Sequence, residues 1–258
     1  MEKLQKPIVL SIAGFDPSGG AGILADIKTF ESIGVYGMGV LTSYTLQSEN
    51  SLEYIRWRHP SVIRSEVEFI LQNDFVSVAK IGIVRHTEML SDIVSVLKKR
   101  NIRIIWDPVL KSSTKKTIFT KASIPFVKSC LPDLYALTAN FEEAVVISGK
   151  PTIEEAGKDL SKYTNVIIKG GHLSDEEEGT DYLFQQYSAK VIKIKKQSTW
   201  DIYPKHGSGC VHSSALAAFL AQGFDLEQAA IRAKLYTEHF LASSKTLLGF
   251  HSTHDVLA

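Results

Sequence analysis

Short runs of uninterrupted apolar residues alternate along this chain with longer segments whose apolar positions recur every three to four residues. Runs at 8–13, 37–45, 76–83, 102–106, 134–138 and 166–169 predict strands buried on both faces. After the first of them, Ile23, Leu24, Ile27, Phe30 and Ile33 form one stripe that stops at Gly34, which predicts a helix. The same periodicity predicts helices at about 61–72, 87–99, 141–148 and 153–163. Strands separated in this way by amphipathic helices make a parallel sheet covered on both faces, so the fold class is α/β. Two stretches break the alternation. Residues 182–186 and 191–195 read as an antiparallel hairpin at a sheet edge, with Lys190, Lys193, Lys195 and Lys196 as edge charges. An Ala/Leu-rich helix through 215–221, a long helix over 225–244 and a histidine-bearing tail close the chain. No repeat, low-complexity segment or Pro/Gly-rich linker divides it, and residues 1–258 are expected to form one domain.

Composition narrows the function classes. Of 258 residues, 44% are hydrophobic and 22% charged, which suits a globular protein with a sizeable core. Lys and Arg number 29 against 28 acids, a formal charge of +1, which offers nothing to nucleic acid or to a membrane surface. Two cysteines, Cys130 and Cys210, make neither a disulfide framework nor a metal-type spacing, and a reducing cytoplasm is the expected setting. The apolar run at 8–13 is too short to span a bilayer. It meets Gly14, Phe15 and Asp16 rather than a small-residue cleavage site, so it reads as a strand and not as a signal peptide.

In open α/β sheets, ligands bind outside the carboxyl ends of the strands. The loops leaving those ends carry Gly14 and Asp16, Gln47, Gly82, Asp107, Asn140, and Lys169 with Gly170 and Gly171. The stretch from Lys205 to Ser214 is organised around two glycines one residue apart at the start of a helix. Gly207, Ser208 and Gly209 would present unpartnered N–H groups to an anion, and the helix field there would lower the thiol pKa of Cys210. The plainer alternative is a helix start with an inert cysteine.

Other positions also carry two readings. The loop 17–22 is neither a Gly-x-Gly-x-x-Gly fingerprint nor a Gly-Lys-Ser/Thr phosphate loop. Its glycines serve tight turning or the close approach of a small ligand, with Asp26 one turn beyond Gly22. Asp107, beside Pro108, either caps a turn or orients hydrated Mg²⁺. Asn140 and Glu143 either form a capping box or hold phosphate and metal-bound water. Lys169 ends a buried strand and needs an anionic partner, which a nucleotide phosphate would supply. His172 reads as a surface or hydrogen-bonding residue, and Asp175 to Glu178 as a solvated turn.

The order of these features along the chain resembles a known family. Ser11-Ile12-Ala13-Gly14, Ser18-Gly19-Gly20-Ala21-Gly22-Ile23-x-Ala25-Asp26-x-Lys28-Thr29-Phe30 and Gly34-x-Tyr36-Gly37 are similar to the hydroxymethylpyrimidine and phosphomethylpyrimidine kinases of thiamine synthesis, members of the ribokinase-like superfamily. Lys80-Ile81-Gly82, Asp107-Pro108-Val109, Asn140-x-x-Glu143, Lys169-Gly170-Gly171-His172-Leu173 and His206-Gly207-Ser208-Gly209-Cys210 continue the likeness over nearly the whole chain. The resemblance implies a ribokinase-like three-layer α/β/α sandwich with a mostly parallel central sheet and an antiparallel edge hairpin. It implies transfer of phosphate from ATP, with Mg²⁺, to the hydroxymethyl group of a small heteroaromatic ring, and a homodimer.

Carried over, Gln47 would bind the ring, with Gly14, Asp26 and Val109 around it. Gly207, Ser208 and Gly209 would form the anion hole, and Cys210 stands where sugar kinases of the superfamily place an aspartate base. It would accept the alcohol proton or hydrogen-bond the hydroxyl. Asp107 and Glu143 would serve the metal, and Asn140, Lys169 and Gly209 the nucleotide. The chain departs from the family pattern at Ser208 (threonine), Ala139 (proline), Ile83 (methionine), the segment after Gln47 and the segment after Val109. The last two border the ring and phosphates, so pyridoxine or pyridoxal is the alternative substrate. From another class, a non-catalytic nucleotide-binding domain would not need the carboxylates, lysine and glycine loop together.

Overall fold

A computed structural model describes residues 6–73, 75–110, 123–171 and 179–252. The chain runs β1 (Ile8–Phe15), α1 (Gly22–Ile33), β2 (Tyr36–Gln47), β3 (Leu52–Trp57), α2 (Pro60–Asn73), β4 (Val76–Ile81), α3 (Thr87–Lys98) and β5 (Arg103–Trp106). It continues through α4 (Ile124–Cys130), β6 (Ala136–Asn140), α5 (Phe141–Ser148), α6 (Ile153–Leu160), β7 (Asn165–Lys169), β8 (Asp181–Phe184), β9 (Val191–Ile194), α7 (Ser208–Ala221) and α8 (Leu226–Ala242).

The nine strands of the described residues join one sheet in the order β3-β2-β1-β4-β5-β6-β7-β8-β9. The six strands from β2 to β7 in that order are mutually parallel, while β3 pairs antiparallel at one edge and β8 at the other. The continuous apolar strands are explained by what covers them. In β1, Leu10 and Ile12 enter the core under α2 to α6, whereas Val9 enters the core under α1, α7 and α8. In β7, Val166 and Ile168 face the first layer and Ile167 the second. A strand with helices on both faces has no polar face to show. This is the expected three-layer α/β/α arrangement, and β8 and β9 form the expected edge hairpin.

Helix α7 is buried along almost its whole length, from Val211 to Leu220, between α1, α8 and the sheet. That explains a run of alanine and serine with no amphipathic stripe, since small side chains let neighbours approach from all sides.

Two elements depart from the expected pattern. Strand β3 carries Glu53 and Arg56 and is at most half-buried, so its sequence lacks the apolar run of a central strand. Register explains it: β1 reaches only to Phe15 opposite Tyr44, and β2 continues to Gln47 with β3 as its remaining partner on that length. Helix α4 has only seven residues, too few for a readable period. The altered segment after Val109 lies, from residue 111 to 116, outside the described residues, as do His172, Leu173 and the acidic run 175–178. Among the described residues no helix is long and apolar enough to cross a membrane.

Candidate active site

Two glycine-bearing loops meet at the carboxyl end of β1. Asp16 organises the first: its carboxylate accepts bonds from the Ser18 N–H (2.9 Å), the Ser18 hydroxyl (2.8 Å) and the Ala21 N–H (2.9 Å). His206 Nε2, from the second loop, lies 2.8 Å from the same carboxylate. Burial alone would raise the Asp16 pKa, but the bonds from His206 and Ser18 hold it below the usual carboxylate range. Gly207 has φ +75°, and a Cβ there would stand 2.0 Å from the Gly20 carbonyl oxygen. Only glycine lets these two loops close on each other.

Gly207 is also the residue preceding α7, and no side chain caps that helix. The first turn carries no acidic residue either. The N–H groups of Ser208, Gly209 and Cys210 precede the first intrahelical bond, from Val211 N–H to Gly207 O, and form the positive end of the helix. Facing it, Lys169 Nζ donates to Asp107 Oδ1 at 2.8 Å, and Ser213 Oγ reaches Asp107 Oδ2 at 3.2 Å. A Cβ on Gly209 would lie 3.3 Å from Lys169 Nζ and 3.9 Å from Asp107 Oδ2, so the helix start, the lysine and the carboxylate are in contact. Burial would raise the Asp107 pKa, yet the ammonium groups of Lys169 and Lys80 hold it low. Lys169 in turn is held charged against its own burial by Asp107 and Glu143.

Asn140 and Glu143 form the capping box of α5: the Asn140 side chain accepts from Glu143 N–H at 2.8 Å, and Glu143 Oε2 accepts from Asn140 N–H at 2.9 Å. Glu143 Oε1 accepts the Leu110 N–H at 3.2 Å. Burial, reinforced by Asp107, pushes the Glu143 carboxyl upward despite Lys169. In the sheet register Asn140 pairs with Lys169, which places the box beside the Lys169–Asp107 pair. Among the described residues no three His, Cys, Asp or Glu side chains cluster as a metal cage. Each oxygen of Asp107 and Glu143 already accepts a bond. That hard-oxygen pair suits a Mg²⁺ that keeps its water shell, not one stripped into an all-protein site.

Beneath Cys210 lies a second buried pair. Asp26 takes Lys80 Nζ at 2.9 Å on both oxygens, the Ser11 hydroxyl at 2.6 Å and the Ser214 hydroxyl at 2.7 Å. Neither Asp26 nor Lys80 has any exposed side chain. Asp26 therefore shows no surface to a ligand. It fixes a cation, and that cation is held protonated against its burial by Asp26 and Asp107.

The thiol itself corrects the sequence reading. Burial pushes Cys210 up to about 11, and the carboxylates of Asp107 and Asp26 add to that, outweighing Lys80 and the Gly22 N–H that bonds the sulfur. The expected lowering by the helix field does not survive in this crowded pocket. Gly14 lies against Ile83 and Ser43, where its Cβ would meet each at 2.8 Å, and Gly22 packs on the Gly14 carbonyl. The rim thus joins Gly14, Asp107, Asn140, Glu143, Lys169 and the turn Gly207, Ser208, Gly209, Cys210, with Asp26 buried behind it. Val109 follows two residues after Asp107. Gln47 stands apart, four residues beyond the Gly14–Ser43 pairing and roughly 13 Å further along β2 at the rise of a strand.

The sequence puts Asp16 on this rim, but sequence reasoning assigned no role there to Asp16, His206, Lys80, Ser213 or Ser214. Lys80 had a signal: a lysine inside an apolar strand needs a buried counter-charge, the argument applied to Lys169.

The family model for phosphomethylpyrimidine kinase matches residues 16–254. A hydroxymethylpyrimidine/phosphomethylpyrimidine kinase of Aquifex aeolicus is 32% identical over 252 residues, covering 93% of this chain and 96% of that protein. The crystal structure of the phosphomethylpyrimidine kinase of Clostridium difficile is similar, with a TM-score of 0.75 and 31% identity over 90% of this chain and 98% of that one. The pyridoxal kinase of Staphylococcus aureus in complex with AMP-PCP is similar with a TM-score of 0.80 and 25% identity, covering 92% of this chain and 89% of that one.

Proposed function

Since the chain belongs to the phosphomethylpyrimidine kinase family, we propose that its rim transfers the γ-phosphoryl group of ATP to the hydroxymethyl group of 4-amino-5-hydroxymethyl-2-methylpyrimidine, and then to the monophosphate so formed. The observation that carries this reading is the contact of Gly209, at an uncapped helix start, with the Lys169–Asp107 pair. A positive helix end and a buried ammonium converge there, the latter paired with the Asp107 carboxylate that would face a metal. A phosphoryl group in transfer, with charge spread over its equatorial oxygens, is the ligand that such an arrangement favours.

In this reading the N–H groups of Ser208, Gly209 and Cys210 receive the oxygens of the moving phosphoryl group. Lys169 neutralises the nucleotide phosphates, and Asn140 borders them. Gly14 and Val109 flank the ring, and Gln47 approaches its edge from the β2–β3 arm. Asp26 holds Lys80 in place under Cys210. With its pKa near 11 the Cys210 thiol is protonated at neutral pH, so it hydrogen-bonds the alcohol rather than removing its proton. Little proton removal is needed early in a loose phosphoryl-transfer transition state. Asp107 and Glu143 would hold nucleotide-bound Mg²⁺ through its waters, where the metal supplies charge neutralisation. We carry a homodimer in the cytoplasm as part of this reading, to be checked by light scattering of the purified protein and by cell fractionation.

A second reading, pyridoxal kinase on the same rim, is favoured by the likeness to the AMP-PCP-bound pyridoxal kinase, with its TM-score of 0.80. ATP turnover with four acceptors (hydroxymethylpyrimidine, its monophosphate, pyridoxine and pyridoxal) separates the two. Turnover of the pyrimidines above the pyridines supports the first reading. The reverse order supports the second, and no turnover with any acceptor overturns both.

A further inference from the structure

Asp181 opens β8 on the far side of β7 from Asp107, and its carboxylate is 2% exposed. Oδ1 accepts the Gly170 N–H at 2.9 Å and Lys234 Nζ at 3.2 Å. Oδ2 lies 3.3 Å from Nε2 of His212, a ring that is itself 3% exposed. That contact is not an aligned hydrogen bond, and among the described residues neither ring nitrogen of His212 has another polar partner. Burying a carboxylate, an ammonium and an imidazole together costs more than an apolar cluster of the same volume. The cluster is therefore not what packing stability alone would select.

Its value lies in what it joins. Gly170 is the residue after Lys169, and its N–H fixes the direction in which β7 ends. His212 stands on α7 three residues after Gly209, one helical turn into the element whose start faces the phosphates. Lys234 brings in α8, the main packing partner of α7. One carboxylate thus ties the segment carrying Lys169 to the helix carrying the open N–H groups. A shift of about 1 Å between two such groups is enough to cost a large factor in rate.

We propose that Asp181 is a positioning residue for phosphoryl transfer. Acting through the Gly170 N–H and through His212, it sets the distance between Lys169 and the start of α7, without touching nucleotide. This rests on the reading of Lys169 as a nucleotide-phosphate ligand.

The test is a double-mutant cycle on the intact protein, with KM measured for ATP and for the alcohol, and melting temperature followed in parallel. Lys169→Ala should raise the KM for ATP; an unchanged value removes Lys169 from the phosphates and takes the proposal with it. Asp181→Asn keeps the shape and should raise the KM for ATP about tenfold, the size of one charge-assisted hydrogen bond, with the KM for the alcohol unchanged. In the Lys169→Ala background the same substitution should change the KM for ATP by less than about twofold, because coupled residues are not additive. A full tenfold effect in that background, or equal movement of both KM values, overturns the proposal while leaving Lys169 in its role. Should Asp181→Asn fail to fold, His212→Gln leaves the Asp181–Lys234 pair intact. It should give a smaller rise in the KM for ATP that also vanishes without Lys169; a rise that persists there overturns the proposal.

Discussion

Lys80 and Asp26 meet at 2.9 Å with no side-chain exposure on either, at the point where β1, α1, β4 and α7 converge under Cys210. The pair is saturated: Ser11 and Ser214 fill the remaining acceptor positions of the carboxylate. An ion pair this deep contributes little net stability over an apolar pair, but removing one partner strands a charge. What it does supply is a fixed cation beneath Cys210.

Lys80→Met should therefore lower unfolding free energy by about 3–5 kcal/mol, the cost of breaking a buried pair. Adding Asp26→Leu should recover a large part of that loss, because the stranded carboxylate is gone. Urea unfolding of the two single variants and the double variant measures the coupling. Equal, additive losses would show that the pair acts as packing and not as charge.

The two glycines of the α7 turn differ in what confines them, and their alanine variants should differ accordingly. Gly207→Ala needs a side chain at φ +75° and puts a Cβ 2.0 Å from the Gly20 carbonyl oxygen. The two loops must separate, so both melting temperature and activity should fall. Gly209→Ala meets only Lys169 Nζ at 3.3 Å and Asp107 Oδ2 at 3.9 Å. Its fold should survive, while the displaced ammonium raises the KM for ATP. Thermal melts beside steady-state kinetics distinguish them, and a Gly209→Ala enzyme with an unchanged KM for ATP would argue against contact of Lys169 with phosphate.

Much of this site was legible in the sequence because it lies on the strand ends of a parallel sheet. Apolar runs locate the strands, and the topology then brings Gly14, Asp107, Asn140 and Lys169 to one rim. The capping box at Asn140 and Glu143 was readable for the same reason: its partners are three residues apart. What local pattern does not carry is partner choice over long separations. Asp26 reads as a residue one turn past Gly22, but its orientation is decided by Lys80, 54 positions away. The Cys210 thiol reads as a helix-start thiol, whereas its environment comes from Asp26, Lys80 and Asp107 on three other elements. Strand β3 was unreadable because an edge partner that is half-exposed needs no apolar run.

The raised thiol pKa separates two roles for Cys210 by magnitude. If the thiol only hydrogen-bonds the alcohol, Cys210→Ala should lower kcat about tenfold, within the worth of one neutral hydrogen bond. Loss of a general base would cost roughly 10²–10⁴-fold instead. The thiol should also react slowly with iodoacetamide at pH 7.5, with a rate that climbs toward pH 11. Rapid labelling at neutral pH, together with a loss beyond a hundredfold, would restore the base.

His251 gives the fold an acid sensitivity whose window can be stated. Its Nδ1 lies 3.0 Å from the Tyr236 hydroxyl and 3.4 Å from Thr29 Oγ1, and its ring packs 4.9 Å from that of Phe240. Burial, with a smaller push from Lys28, lowers its pKa from 6.5 to about 4. The folded chain keeps the ring neutral where the unfolded chain protonates it, so the unfolded state binds more protons between those two values. Stability conferred by the neutral ring is complete above pH 6.5 and is lost as pH falls toward 4, with a slope of up to about 1.4 kcal/mol per unit. Asp16, Asp107 and Asp181 have pKa values lowered from 3.8, so their contributions are lost progressively only below about pH 5 and overlap this window at its acid end. The loss reaches the site because the tail backs it: Leu247 O accepts the His206 N–H at 2.9 Å, and His206 in turn holds Asp16. Urea unfolding at pH 7 and pH 5 should show a marked fall for the native sequence and a much smaller one for His251→Gln. An identical fall in both would place the acid sensitivity elsewhere.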